Sequence, residues 1–221
     1  MTVGADMKLD FKPFPLANPL RGRIERLAGG RLQAIRSQPC GAAGRCYWNA
    51  DAAAEASGAA VVHGWLVSIW PHHLVEILHH AVIAQPDGTL LDVTPYYRET
   101  ERVTFIVDDS IVPPRDYPAY IPSKFMILGN SALGRAFRDG AWRQNEISRA
   151  LAERARAAGI PLVLGERLAL PRSPEVRALW AALARTQQDL ALTVEAMRQG
   201  GAGRRPEPRV APRQGTRAAA G

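Results

Sequence analysis

Cysteine is nearly missing from this chain. Only Cys40 and Cys46 occur in 221 residues, which excludes a disulfide-stapled scaffold and, without companion ligands at metal spacing, a zinc ribbon. Lysine is almost as scarce, present only as Lys8, Lys12 and Lys124, so the formal charge of +7 is an arginine effect. No apolar run approaches the roughly 18 residues that a membrane span needs. The opening segment, MTVGADMKLDFKPFPLANPL, has no apolar leader core. The expectation is therefore a cytoplasmic protein with no membrane span, with export by a leaderless route left open.

What is present suits a globular protein, with 47% hydrophobic and 22% charged residues, enough for both a core and a solvated surface. Charge is concentrated at the C-terminus. From 199 onward Arg204, Arg205, Arg209, Arg213 and Arg217 stand against Glu207 alone, so this stretch carries +4 and the remainder +3. Residues 200–221 read as a disordered basic tail, whose expected partners are nucleic acid or acidic surfaces, bound weakly and without sequence preference. Residues 1–22 read as an extended arm, 23–112 as an α+β core, and 113–199 as a connecting segment followed by helices.

Within the core, 23–32 can form a short helix that ends at Gly29-Gly30. The stretch SQPCGAAGR is too rich in proline and glycine for regular structure. CYWNADAAAEASG, 46–58, favours helix in its alanine-rich middle and stops at Gly58. Short β-rich segments at 64–70, 74–84, 89–95 and 102–109 then suggest an antiparallel meander. A helix followed by a meander implies an α+β domain with the helix packed on the sheet. Farther on, Asn145 to Ala158 reads as a helix with an Asn cap and a Gly159 stop. Ser173-Pro174-Glu175 opens a longer one to about Arg198, with Val176, Leu179, Trp180, Leu183, Leu190, Val194 and Met197 in one stripe.

The segment HHAVIAQPDGTLLDVTP, 79–95, poses the chemical question. Gln85-Pro86-Asp87-Gly88-Thr89 has the residues of a type I turn closed by a left-handed glycine. Gln85 then pairs with Thr89, Val82 faces Asp92, and His80 faces Thr94. Residues two apart on a strand share a face, so His80, Val82, Asp92 and Thr94 lie together and His79 points the other way with Ala81, Ile83, Leu91 and Val93. A one-residue slip would exchange the two histidines. In this register an aspartate holds one ring nitrogen of His80 and leaves the other free as a base. Cys46, at a helix start that favours thiolate, is the nucleophile that such a base could serve. Cys46, Ala50, Ala53 and Ser57 would give that helix a small-residue face for close approach to the sheet.

A cysteine opening a helix, followed by a sheet with His and Asp on adjacent strands, resembles transglutaminase-like and papain-like cysteine enzymes. The residues that carry the resemblance are Cys46-Tyr47-Trp48-Asn49, Gly64-Trp65, His80-Ala81-Val82 and Asp92-Val93-Thr94-Pro95. They also resemble a set of uncharacterised bacterial proteins with the same motifs. The similarity spans about 33–108. Val82 stands where transglutaminase cores carry an aromatic, and Arg45 and Tyr47 are uncommon flanks for the cysteine. The resemblance implies a papain-like or transglutaminase-like core with a Cys46-His80-Asp92 triad. It also implies Gln38, with Gln33 behind it, as a side-chain oxyanion donor beside the Cys46 N–H. Trp48, Trp65, Asn49 and Glu76 are candidates for the cleft, and Glu76 is expected at its rim or in solvent. The expected activity is hydrolysis or acyl transfer on an amide or thioester of a peptide, protein or small acyl substrate, with no cofactor and no metal.

Two other readings compete. One is a non-catalytic binding module of the same fold, with a buried, inert Cys46. The other is a metal-binding protein that uses His72, His73, His79 and His80, or Glu76 with His80 and Asp92.

Overall fold

The computed structural model describes residues 10–95, 100–113, 120–160 and 173–202. In chain order its elements are β1 (Lys12–Pro13), α1 (Arg21–Ala28), β2 (Gln33–Ser37), α2 (Cys46–Ser57), β3 (Ala60–Trp70) and β4 (Leu74–Ala84). They continue as β5 (Leu90–Asp92), β6 (Arg102–Val107), β7 (Lys124–Ile127), α3 (Ala132–Ala157) and α4 (Pro174–Ala202). The α+β class is as expected. The sheet is not a simple antiparallel meander. Strands β3, β6, β2, β5 and β4 follow one another and β4 returns to β3, which closes a barrel; β1 extends it beside β3 and β7 beside β4. The sheet is mixed, because β2 runs antiparallel to β6 but parallel to β5. β2 carries no strand signal of its own, because only Ile35 is buried in Gln33–Ser37 and alternation is almost invisible.

The β4–β5 hairpin forms in the expected register, with Ile83 opposite Leu91 and Ala84 opposite Leu90. Gln85 N–H donates to the Thr89 carbonyl at 2.9 Å, and Gly88 takes the left-handed conformation at φ 81°. Asp87 completes the turn by accepting from the Thr89 N–H and hydroxyl. β4 faces two environments. Val82 joins Ile35, Leu66, Val103 and Phe105 inside the barrel. On the opposite face Val75 and Ile77 pack against Ile24 and Ala28 of α1. Ala81 and Ile83 on that face pack against Ala50 and Ala54 of α2. The small-residue face of α2 thus runs through Ala50 and Ala54; Ser57, expected on it, is exposed.

Three helices differ from expectation in their bounds. α1 spans Arg21–Ala28 rather than 23–32, because Gly29 takes a left-handed C-cap and its N–H closes on the Glu25 carbonyl. α3 begins at Ala132, where the Ser131 hydroxyl accepts from the Gly134 N–H, so Asn145 is interior to the helix and not its cap. Gly140 looks like a break in sequence, yet it marks a close crossing: a Cβ there would lie 2.7 Å from Leu190 of α4. The expected α4 stripe is buried at Val176, Leu183, Leu190, Val194 and Met197. α4 runs on to Ala202, so the helix covers the first residues expected in the tail; 203–221 lie outside the described residues, as do 1–9 of the expected arm. The described part of that arm is packed. Phe11 and Phe14 are both 1% exposed, and Phe11 sits edge-on to Trp70 and Phe137. This cluster, with Leu74, Leu190, Val194 and Met197, joins barrel to helices across the boundary expected at 112. Among the described residues no helix is long and apolar enough to cross a membrane.

Candidate active site

The site forms where the barrel wall opens. On one edge of β4, β7 pairs with Leu74–Ile77 and β5 with Ile83–Ala84. Between them, 78–82 meet no strand on that edge among the described residues. The start of α2 comes up to this gap. Tyr47 reaches His79, and the side chain of Cys46 reaches His80 as a hydrogen-bonding neighbour.

His80 and Asp92 meet as the hairpin register requires. His80 Nε2 lies 2.9 Å from Asp92 Oδ1, with His80 4% and Asp92 0% exposed. Asp92 Oδ1 also accepts from the Thr94 N–H at 3.0 Å, which fixes the carboxylate against its own strand end. Its Oδ2 is buried and has no hydrogen-bond partner. With Nε2 committed to Asp92, Nδ1 is the ring nitrogen left for Cys46. Burial alone would lower the His80 pKa. The negative charge of Cys46, the hydrogen bond to Asp92, the hydrogen bond to Cys46 and the Asp92 charge outweigh it and raise the value to about 10.

His79 has the opposite electrostatics. Burial first, then the positive charge of His63, lowers its pKa to about 4, against weaker raising contributions from the Ile111 carbonyl and Asp108. It is therefore neutral at pH 7. Tyr47 Oη and His79 Nδ1 are 2.8 Å apart, and Trp65 stands edge-on to the ring. Burial also raises the Tyr47 pKa, so its hydroxyl stays protonated while bonded to Nδ1. Two histidines adjacent in sequence thus occupy opposite faces with opposite charge preferences. The Tyr47–His79 bond was not read from sequence; the signal was there, since Tyr47 follows Cys46 on the helix and His79 has the parity of the residues that α2 covers.

The other expected site residues fall in several places. Asn49 is buried and holds the preceding loop, donating through Nδ2 to the Ala42 carbonyl at 2.8 Å and the Thr94 hydroxyl at 3.2 Å. Gly41, at φ 109°, lies so close to Asn49 Oδ1 that a Cβ would overlap it. Gln38 is exposed, and its backbone N–H donates to the Asp92 carbonyl at 2.8 Å. Trp48 lines a cleft of about 850 Å³ beside α2. Trp65 is core, its Nε1–H bonded to Asp108 and its face under the Lys124 ammonium. Glu76, expected at a rim or in solvent, is only 7% exposed, because β3 and β7 flank it with Ser68 and Phe125. The Ser123 hydroxyl donates to it, and burial pushes its pKa up to about 7.

The four histidines considered for a metal are dispersed. His72 is exposed in the 71–73 turn, and His73 contacts the Ser131 hydroxyl and the Met197 carbonyl. His79 and His80 are engaged as above. Among the described residues no three His, Cys, Asp or Glu side chains are grouped as a metal would need. Both cysteines are free, Cys40 exposed and Cys46 half-buried. No family model matches the chain, and no curated protein or solved structure does either.

Proposed function

We propose that the protein is a thiol-dependent hydrolase or acyltransferase acting on an amide or thioester, with a core of papain-like or transglutaminase-like descent. The observation that carries this reading is the buried 2.9 Å bond between His80 Nε2 and Asp92 Oδ1, with Cys46 a hydrogen-bonding neighbour of the same ring. Cys46 first gives its proton to His80 Nδ1, and Sγ then attacks the carbonyl carbon. The imidazolium returns that proton to the leaving amine or thiol as the tetrahedral intermediate collapses to a thioester on Cys46. Water or an amine then attacks the thioester, loses its proton to His80, and regenerates the Cys46 thiol. Asp92 holds the ring tautomer and favours the charged ring, and Thr94 holds Asp92. The N-terminus of α2 and the Cys46 N–H support the thiolate and the developing oxyanion.

Iodoacetamide labelling followed by peptide mass spectrometry tests the assignment. Cys40 is the more exposed thiol, so accessibility alone favours it. The expected result near neutral pH is the reverse, with Cys46 labelled at least about tenfold faster. Preferential labelling of Cys40 sinks the nucleophile assignment and leaves a binding module of the same fold.

A further inference from the structure

A cleft of about 850 Å³ runs beside α2, lined by the residues that follow Cys46 and not by Cys46 itself. Tyr47 and Trp48, the two residues after Cys46, lie at one end, and Glu55 lies farther along the same helix. Trp48 and Glu55 are seven apart, so they share one face of α2, and Asp51 and Ala54 of the same helix also line the cleft. The other wall is the segment after β6, with Asp109, Val112 and Pro113, and Val61 contributes from β3. Val112 on this second wall is 68% exposed, and Val107 and Ile111, close to it in the chain though outside the cleft lining, are 44% and 37% exposed; the three are half of the six large apolar side chains that stand exposed among the described residues. Such clustering marks a surface that something covers.

Three acidic residues, Asp51, Glu55 and Asp109, line the same space. Glu55 and Asp109 have no ion-pair partner among the described residues and lie on opposite walls. The chain as a whole carries +7, so the negative character here is local and opposes the global field. Along α2, Tyr47 to Glu55 spans about 12 Å at 1.5 Å per residue. That length matches about four residues of extended peptide.

We propose that this cleft is a substrate groove and takes an extended peptide bearing arginine or lysine side chains, which reach Glu55 and Asp109 while the backbone lies along the Val61–Val112 wall toward Cys46. The inference rests on the Cys46 reading for its chemistry, not for its binding.

Binding therefore tests it without turnover. The full chain carrying Cys46→Ala is titrated into fluorescein-labelled hexapeptides of alternating alanine and arginine, alanine and glutamine, or alanine and glutamate, and anisotropy is measured at about 150 mM salt. The arginine peptide is expected to bind at least about tenfold more tightly than either other peptide. Glu55→Gln combined with Asp109→Asn is expected to weaken it about five- to tenfold, the sum of two partly exposed ion pairs. Glu153→Gln on α3, away from the cleft, is expected to leave it unchanged. Equal affinity for the three peptides overturns the proposal, as does an equal loss in Glu153→Gln. Displacement of the arginine peptide by spermidine at equal concentration also overturns it, in favour of a small-polyamine site. The two readings fail separately: an inert Cys46 with retained arginine-peptide preference removes the enzyme, and a reactive Cys46 without that preference removes the groove.

Discussion

His79 and His80 differ by one position in sequence and by a whole environment in the fold. His80 shares a buried pocket with Asp92 and Cys46, while His79 lies under Tyr47 on the outer face. His80→Ala is expected to abolish the Cys46 labelling advantage near neutral pH, because the imidazolium beside the thiolate is gone. His79→Ala is expected to keep that advantage within a few fold while costing about 1–3 kcal/mol of stability, since Tyr47 loses its hydrogen-bond partner. Asp92→Asn should fall between, having the shape but not the charge of the carboxylate; rates and denaturant midpoints together check the ranking. Glu76 gives a second prediction. Burial raises its pKa from 4.5 to about 7, so the folded chain holds this proton after the unfolded chain has lost it. The stability it contributes is complete below pH 4.5 and is lost as pH rises through 7. Glu76→Gln should therefore gain on the native protein between pH 4.5 and pH 8 by on the order of 2–3 kcal/mol in urea unfolding. His79 works in the other direction. Its folded value near 4 lies below the unfolded 6.5, so its contribution is complete above pH 6.5 and is lost as pH falls toward 4.

Among the elements, the 38–45 loop and the first turns of α2 depend on each other. Backbone bonds from Gln38 and Cys40 tie the loop to the carbonyls of Asp92 and Val93. Asn49, one turn beyond Cys46, ties the same loop to Thr94 and reads the glycine at position 41 by its lack of a Cβ. The loop, α2 and the end of β5 are thus one bonded unit. Asn49→Ala is expected to cost about 1–3 kcal/mol and to speed hydrogen exchange at the Cys40 amide well before global unfolding. An unchanged exchange rate there would show that the backbone bonds hold the loop without the side chain. The β4–β5 hairpin needs no such support, because its turn residues satisfy one another locally.

For the whole molecule, the barrel and the helical hairpin share one core cluster. Phe11 is its keystone in sequence terms: it comes from the N-terminal arm, yet it touches Trp70 of the barrel and Phe137 of α3. Phe11→Ala is expected to destabilise the protein by about 3–5 kcal/mol. Helix signal in the far ultraviolet and tryptophan fluorescence should still be lost together in one transition. Separate transitions would show that α3 and α4 fold apart from the barrel. Closure of the barrel has its own tight point at Gly64, opposite His80 on β3, where a Cβ would run into the Ile106 carbonyl and lie 2.7 Å from the Phe105 ring.

The local rules written in the sequence determined the α+β class, the α2 start at Cys46, the β4–β5 register and, through it, the pairing of His80 rather than His79 with Asp92. These are short-range matters: turn residues with particular backbone demands, a period of two along a strand, and a glycine after a helix. Tertiary structure alone decided what depends on distant partners. β2 became a strand because β5 and β6 offered it free edges on both sides, although its own residues barely alternate. Glu76 became buried because β3 and β7 close over it, and the sequence around it carries no mark of that cover. α3 ran through Gly140 because Leu190, fifty residues later, needed the space. The cleft beside α2 arises in the same way, between a helix and a post-strand segment that are far apart along the chain and adjacent only once the barrel has closed.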